Sequence, residues 1–517
     1  MASLTDYTLR ADTLAHYSND ALWALFDGDS EALNVTHECV DRHTGDGRVA
    51  IHIVHADGRD EQVTFDQLSA DASRFAHKLR AEGIVLGDRV AIMLDPSPAF
   101  YVALFGALKA GAAVVPLFTL FGPDAIQARM ADSAAKVVVT NATKAVEIDA
   151  FKSVAIWVMD DAFVADLASY SDRYEPETTP NDIAIYQYTS GTTRQMPAAV
   201  TMPHRSIILT MLPGLYGVGL RPGDRVFCPS SPAWGHGLWQ GTLAPMALGI
   251  TTGTYSGKFD PARLLGALER LEITNLTAAA THYRMIRTSG ELRYQVIPLA
   301  KLSFAGEPID EETERFLQER FGVRVCSIFG STEVGAVLVH YPEAADVVDK
   351  PGSLGLPVPG IDIQVQRPDG TPAAVDEVGE IMIWRRGSWI ATRDLGRMDA
   401  DGYFFHAGRA DDVIISAGWT LSAVEIESVI LRHPDVKEAA AIGVADAVRG
   451  QVVKAFIVSP RAGDDAFTGE IQQQVRAALG QHEYPRQLAF VEELPKTPAG
   501  KINRKVLRDR EREAAIA

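Results

Sequence analysis

The sequence predicts an α/β protein: a large N-terminal domain of doubly wound α/β layers with a small β-barrel-like part, then a small, mobile α+β domain. Three observations predict it. Short apolar, β-branched runs alternate with amphipathic segments from residue 64 to residue 328, the pattern of helices laid on parallel sheets. After about residue 350, Pro351, Gly352, Gly355, Pro357, Pro359 and Gly360 punctuate short segments of period two, such as 361–365 and 380–383, as in a small antiparallel sheet or barrel. From about 412 a fresh αβ alternation begins, with helices at 423–433 and 468–479. The boundary therefore falls near Arg409–Asp412, giving domains 1–410 and 411–517.

Taken in order, residues 1–60 are mixed and define no element. Residues 65–83 read as an amphipathic helix, 89–94 as a buried strand, 99–110 as a helix and 113–117 as a strand. A helix to about 134 and a strand at 136–139 follow. Residues 183–188 alternate β-branched and aromatic side chains and read as a strand. Beyond it come helix 259–271, strands 273–277 and 302–304, helix 310–321 and strand 323–328.

At 517 residues the chain is long enough for two or more domains and a large core. A net charge of −18 and a pI near 5.2 argue against electrostatic binding to nucleic acid or an anionic membrane. Cys39, Cys228 and Cys326 are odd in number and widely spaced. They offer neither a metal-ligand spacing nor a disulfide framework, so a reducing cytoplasm is expected. Residues 1–6 lack the basic and apolar regions of a secretory leader. The apolar stretch 99–120 is broken by Lys109, Gly111 and Pro116 and reads as helix plus strand, not as a membrane span.

The strand 183–188 runs into Tyr188-Thr189-Ser190-Gly191-Thr192-Thr193. A hydroxyl-rich turn leaving a strand can aim several N–H and O–H donors at one polyphosphate; it can equally be an ordinary Ser/Thr/Gly turn. Four further stretches follow: Phe329-Gly330-Ser331-Thr332-Glu333, Thr392-Arg393-Asp394, Gly408-Arg409-Ala410-Asp411-Asp412 and Pro495-Lys496-Thr497-Pro498-Ala499-Gly500-Lys501-Ile502. In this order the five stretches resemble the core motifs of the adenylate-forming enzymes, over roughly residues 30–510, and most of all the medium-chain and aromatic acid CoA ligases.

The resemblance implies two half-reactions. A carboxylate attacks the α-phosphate of ATP to give an acyl-adenylate and pyrophosphate, and the thiol of CoA then displaces AMP. It assigns Thr189, Ser190, Gly191, Thr192 and Thr193 to the phosphates, and Glu333 with Thr192 to Mg²⁺, a hard ion suited to carboxylate and phosphate oxygens. Thr332 bonds the α-phosphate. Gly306, Glu307 and Pro308 wall the adenine site, with Phe329 and Gly330 at the base. Asp394 accepts the ribose hydroxyls, supported by Arg409. Lys501 neutralises charge as the carboxylate attacks, on a C-terminal domain that swings about Asp411. Ser416, Gly418 and Trp419 meet the pantetheine arm. Read without the resemblance, Thr332-Glu333 could cap a helix, and Asp394 with Arg409 could be a surface ion pair.

Several positions depart from the family pattern. Arg194-Gln195-Met196-Pro197-Ala198-Ala199 stands where the phosphate loop normally continues with glycine and ends in Pro-Lys, so the loop lysine is missing and Arg194 is the candidate replacement. Arg393 replaces the glycine of the usual Thr-Gly-Asp, Ile415 a lysine and Thr420 an arginine. The segment Pro232-Ala233-Trp234-Gly235-His236-Gly237-Leu238-Trp239 matches the acyl-pocket lining, although Trp239 also suits a core position. No acid lies in 230–242 to pair an α-ammonium, which disfavours amino-acid substrates. Trp234 and His236 suit a compact aromatic or short branched acid, and Gly330 and Gly335 are expected to leave room for a ring. The small-molecule partners are thus a carboxylic acid, ATP and CoA, and a homodimer stays open. Two alternatives remain: loading of an acyl carrier protein, or a nucleotide- or acyl-binding protein that has lost catalysis.

Overall fold

The computed structural model describes residues 2–121, 123–148, 154–188, 199–290, 297–331, 334–409, 414–416, 419–421, 423–446, 450–479, 484–497 and 500–516. It divides into two compact units. The first comprises Met1–Gly306, Leu317–Val348 and Val358–Gly360, the second Glu307–Phe316, Asp349–Pro357 and Ile361–Ala517.

The first unit holds two sheets. One runs in the order Ala155–Val158, Val137–Thr140, Arg89–Met93, Ala113–Pro116, Ile183–Tyr188, Ala199–Pro203, parallel except for the closing hairpin. The other runs Gly335–Val339, Val325–Ser331, Lys301–Ala305, Asn275–Ala279, Arg225–Cys228, Thr251–Ser256, Val49–His55, Asp60–Thr64, with antiparallel pairs only at its two ends. Helices form where the periodicity predicts them. Helix Phe65–Ala81 opens on a capping box in which Thr64 and Gln67 each accept the other's N–H at 3.1 Å. It buries Phe65, Leu68, Ala72, Phe75, Ala76 and Leu79, a stripe at spacings of three and four. Helix Pro98–Lys109 is buried from Phe100 onward. Even its Lys109 is enclosed, its ammonium bound to Asp41 and Ser73 at 2.8 Å each.

The unreadable N-terminal stretch is now explained. Its helices, Arg10–His16, Asn19–Trp23 and Val35–Cys39, are too short to show a period. Distant partners hold them: Asn34 donates to the carbonyl of Leu108 at 2.9 Å, and the fully buried Glu38 takes the N–H groups of Asp27 and Gly28 and the guanidinium of Arg42.

The second unit carries five antiparallel strands, Ile363–Gln366, Gly379–Arg385, Ser388–Met398, Phe404–Arg409 and Ser353–Pro357 in sheet order. Its C-terminal part has a sheet of Trp419–Leu421, Ile414–Ser416, Gly450–Val458 and Glu438–Asp446, with Gln487–Phe490 beside Gly450–Val458. Helices Ala423–Ile430, Asp465–Ala478 and Arg504–Ile516 accompany it, the first ending three residues before the expected 433 because Pro434 follows.

Candidate active site

In the first unit the site residues sit at the C-terminal ends of parallel strands, where α/β sheets bind ligands. Ala305 lies opposite Ile328; the chain leaves the sheet at Gly306, while the neighbouring strand runs on through Phe329, paired with Leu338, to Ser331. Gly306 has φ 92°, a turn that glycine makes without strain. Gly330 corrects an expectation. A Cβ there would lie 2.0 Å from the carbonyl oxygen of Gly335 and 2.5 Å from Cα of Ala336. The space beside Gly330 is therefore filled by the neighbouring strand, and the close strand pairing, not a ligand's ring, requires glycine.

The acyl-pocket segment forms a π-helix, His236–Leu243, buried throughout. Such wide turns are uncommon and recur at functional sites. Thr242 Oγ1 donates to the carbonyl of Gly237, five residues back, at 2.9 Å. A Cβ at Gly237 would meet the carbonyl oxygens of Ser231 and Ser230 at 2.3 and 2.4 Å, so glycine lets the helix settle on the preceding turn.

His236 begins this helix and is buried. Its Nε2 lies 2.8 Å from Thr277 Oγ1 and its Nδ1 3.3 Å from Ser230 Oγ, while Ser303 Oγ donates to Thr277 Oγ1 at 2.8 Å. Trp234 stands edge-on to His236, ring centroids 5.3 Å apart. It is half-buried, whereas Trp239 is 7 % exposed and belongs to the core. Gln187, buried on the strand that enters the hydroxyl loop, donates to the carbonyl of Ala233 at 2.9 Å. This bond ties the approach to the phosphate motif to the acyl segment. The next residue, Tyr188, donates its hydroxyl to Asp132 at 2.7 Å; burial, then the Asp132 bond, raises its pKa.

In the second unit Asp394 is 5 % exposed and receives His406 Nε2 at 3.1 Å. Its backbone N–H donates to Thr392 Oγ1 at 3.1 Å, and that hydroxyl donates to the carbonyl of Ile381 at 2.8 Å. Strand pairing places Asp394 opposite Arg409. Between Thr392 and Asp394, Arg393 has φ 62°, a left-handed conformation that explains why glycine is the usual residue there. Glu307 is half-buried and Pro308 exposed. Lys501 follows Gly500 (φ 82°) in a tight turn, its backbone N–H donating to Thr497 Oγ1 at 3.2 Å.

Thr189, Ser190, Gly191, Thr192, Thr193, Arg194, Thr332, Glu333, Asp411 and Gly418 lie outside the described residues, as do the side chains of Arg409, Ser416 and Trp419. Gln187, Thr277, Ser303 and His406 escaped the sequence reading. A legible signal existed for two of them: Thr277 and Ser303 each stand between two apolar neighbours on a strand, Leu276 and Ala278 for the one and Leu302 and Phe304 for the other. His406 shows its role only through strand register, opposite Gly396.

The profile of the AMP-binding enzyme family matches residues 39–392, and that of the AMP-binding enzyme C-terminal domain matches 425–501. The chain belongs to the AMP-binding enzyme family. It is 32% identical over 523 residues to the acetyl-coenzyme A synthetase of Bacillus subtilis, covering 92% of this chain and 90% of that relative. It is 30% identical to 4-hydroxybutyrate–CoA ligase 1 of Metallosphaera sedula, covering 88% and 86% of the two chains. Among solved structures it matches the anthranilate CoA ligase AuaEII in complex with anthranoyl-AMP, with a TM-score of 0.87 at 25% identity over 95% of this chain and 99% of that one. This member of the family is an AMP-forming acid–CoA ligase that uses ATP and CoA. No helix among the described residues is long and apolar enough to cross a membrane.

Proposed function

We propose that this ligase activates a small carboxylic acid, aromatic or of short to medium length, held by Trp234, His236 and Gly237. The observation that carries the reading is the Gln187–Ala233 bond, which sets the acyl segment beside the entrance to the phosphate loop. In the first step a carboxylate oxygen of the acid bonds to the α-phosphorus of ATP and the bond to pyrophosphate breaks. In the second the CoA sulfur bonds to the acyl carbon and AMP leaves. Positioning and charge neutralisation dominate such chemistry. Thr189–Thr193 and Arg194 cradle the phosphates, Thr332 bonds the α-phosphate, and Asp394, oriented by His406, accepts the ribose hydroxyls. Lys501 supplies its ammonium during adenylation, on a domain 411–517 that pivots at Asp411 to let Ser416, Gly418 and Trp419 meet CoA.

Glu333 and Thr192 would hold a Mg²⁺ ion, which would neutralise phosphate charge in the adenylation step. The setting is a reducing cytoplasm, a reading supported by Cys39, Cys228 and Cys326, which are buried thiols outside any disulfide; burial pushes the Cys228 thiol up to about 12.

The test is pyrophosphate release with Mg²⁺ and ATP across benzoate, phenylacetate, butyrate, isobutyrate, hexanoate and several amino acids, with and without CoA. Turnover of a subset of the simple acids, with thioester and AMP appearing only with CoA, supports the reading. Preference for amino acids, or thioester only on a carrier protein, refutes it. Arg194→Ala should abolish activity; full activity would return the phosphate role to other residues.

A further inference from the structure

We infer that Thr497 and the Glu427–Arg504 ion pair form a frame that positions Lys501 for the adenylation step. The inference rests on the reading of Lys501 as the residue that neutralises charge at the α-phosphate. A lysine ammonium ends a flexible four-carbon stem, so its reach is set by how firmly its Cα is placed. The main chain at Lys501 is held on both sides by one residue. Its N–H donates to Thr497 Oγ1 at 3.2 Å, and its carbonyl accepts the Thr497 N–H at 2.7 Å. Thr497 is itself 7 % exposed. The turn is closed by Gly500 N–H to the Thr497 carbonyl at 2.8 Å, and by Asn503 N–H to the Pro495 carbonyl at 2.7 Å.

Three residues beyond Lys501, Arg504 starts the helix Arg504–Ile516 and grips Glu427 with two parallel bonds, Nε to Oε1 at 3.0 Å and Nη2 to Oε2 at 2.5 Å. Glu427 is 7 % exposed on helix Ala423–Ile430, and its Oε1 also accepts the N–H of Ala441 at 2.7 Å. One buried carboxylate thus joins that helix, the strand Glu438–Asp446 and the segment that follows the lysine. Between the two anchors, Ile502 packs on the cluster of Ala440, Ile442, Phe456, Leu494 and Leu507. Apolar residues already fill that core. A buried ion pair adds little net stability over an apolar equivalent, and fixing register is its best-attested use; the planar fork of arginine suits that use.

The experiment separates the half-reactions in the full-length enzyme. Adenylation is read by pyrophosphate release, and thioester formation by supplying presynthesised acyl-adenylate and CoA. Glu427→Gln and Thr497→Val are expected to slow adenylation about 10- to 100-fold while leaving KM for ATP within about twofold, since small misplacements of a reacting group cost on that order. Thioester formation from acyl-adenylate should hold, and Thr497→Ser should restore adenylation. In a Lys501→Ala background the same changes should cost nothing more, because the frame acts through the lysine. A parallel fall of both half-reactions, or an equal further loss in the Lys501→Ala background, overturns the frame as a positioning device. Wild-type adenylation by Lys501→Ala overturns the reading beneath it. Loss in Lys501→Ala with none in Glu427→Gln or Thr497→Val overturns the frame alone.

Discussion

His204 should make the first unit acid-sensitive, by an amount its surroundings set. The side chain is fully buried, and its Nδ1 accepts the backbone N–H of Val35 at 3.1 Å. The ring is therefore neutral with the proton on Nε2, and an imidazolium would lose that bond and gain no hydration. Burial lowers its pKa from 6.5 to about 4, against a smaller opposing pull from Asp182. For a histidine depressed in the folded state, the unfolded chain binds the extra proton first. The stabilisation is complete above the unfolded value of 6.5 and is lost as pH falls from there toward about 4. At 1.36 kcal/mol per pH unit, the loss attributable to this residue is about 2 kcal/mol at pH 5 and about 3 kcal/mol at pH 4. Urea unfolding followed at pH 7.5, 6.5, 5.5 and 5 measures it. His204→Gln is the comparison, since its amide oxygen can still accept from Val35 and does not titrate. The wild type should lose about 2 kcal/mol more than His204→Gln between pH 7.5 and 5. Parallel profiles for the two proteins would refute the argument.

Other outcomes follow from the site. His406→Phe removes the partner of a buried carboxylate and should raise KM for ATP about 10-fold or more, as hydrogen bonds to charged groups are worth about 1.5–3 kcal/mol; steady-state kinetics at saturating acid check it. Gly330→Ala drives a methyl into the facing backbone and should destabilise by about 1–3 kcal/mol, seen as a lower thermal midpoint before any substrate is added. Thr277→Val leaves His236 short of its 2.8 Å partner and should change the ranking of acids in kcat/KM more than it changes KM for ATP. Arg393→Gly should retain activity and relieve a left-handed arginine, raising stability by up to about 1 kcal/mol, measurable by denaturant midpoint.

Much of the fold was legible because its signals are local. The stripe Phe65–Leu79 and the apolar strand Arg89–Met93 announce a helix and a buried strand by period alone, and Pro and Gly after 350 mark the short antiparallel strands. Boundaries slipped by a few residues where caps and neighbours decide. Residues 1–60 were opaque because their helices span five to seven residues and are held by bonds to residues far along the chain. The candidate site divides in the same way. Motif residues such as Asp394 and Lys501 were named from order and spacing, while their supporting partners His406, Glu427 and Arg504 were not, and Thr497 entered only as a member of the Lys501 motif with no role of its own.

By itself the sequence determined the fold class, the family and the class of reaction, since alternating periodicity and five ordered motifs are properties of the chain read in one dimension. Tertiary structure decided which residues those motifs lean on. Gly330 answers to the strand Gly335–Val339 paired directly with its own, His236 to the hydroxyl of Thr277, which Ser303 bonds in turn from another strand, and the segment carrying Lys501 to the carboxylate of Glu427, gripped by Arg504 77 positions further along. The reason is physical: a buried polar group must find its partner in space, and register and packing, not sequence distance, choose that partner.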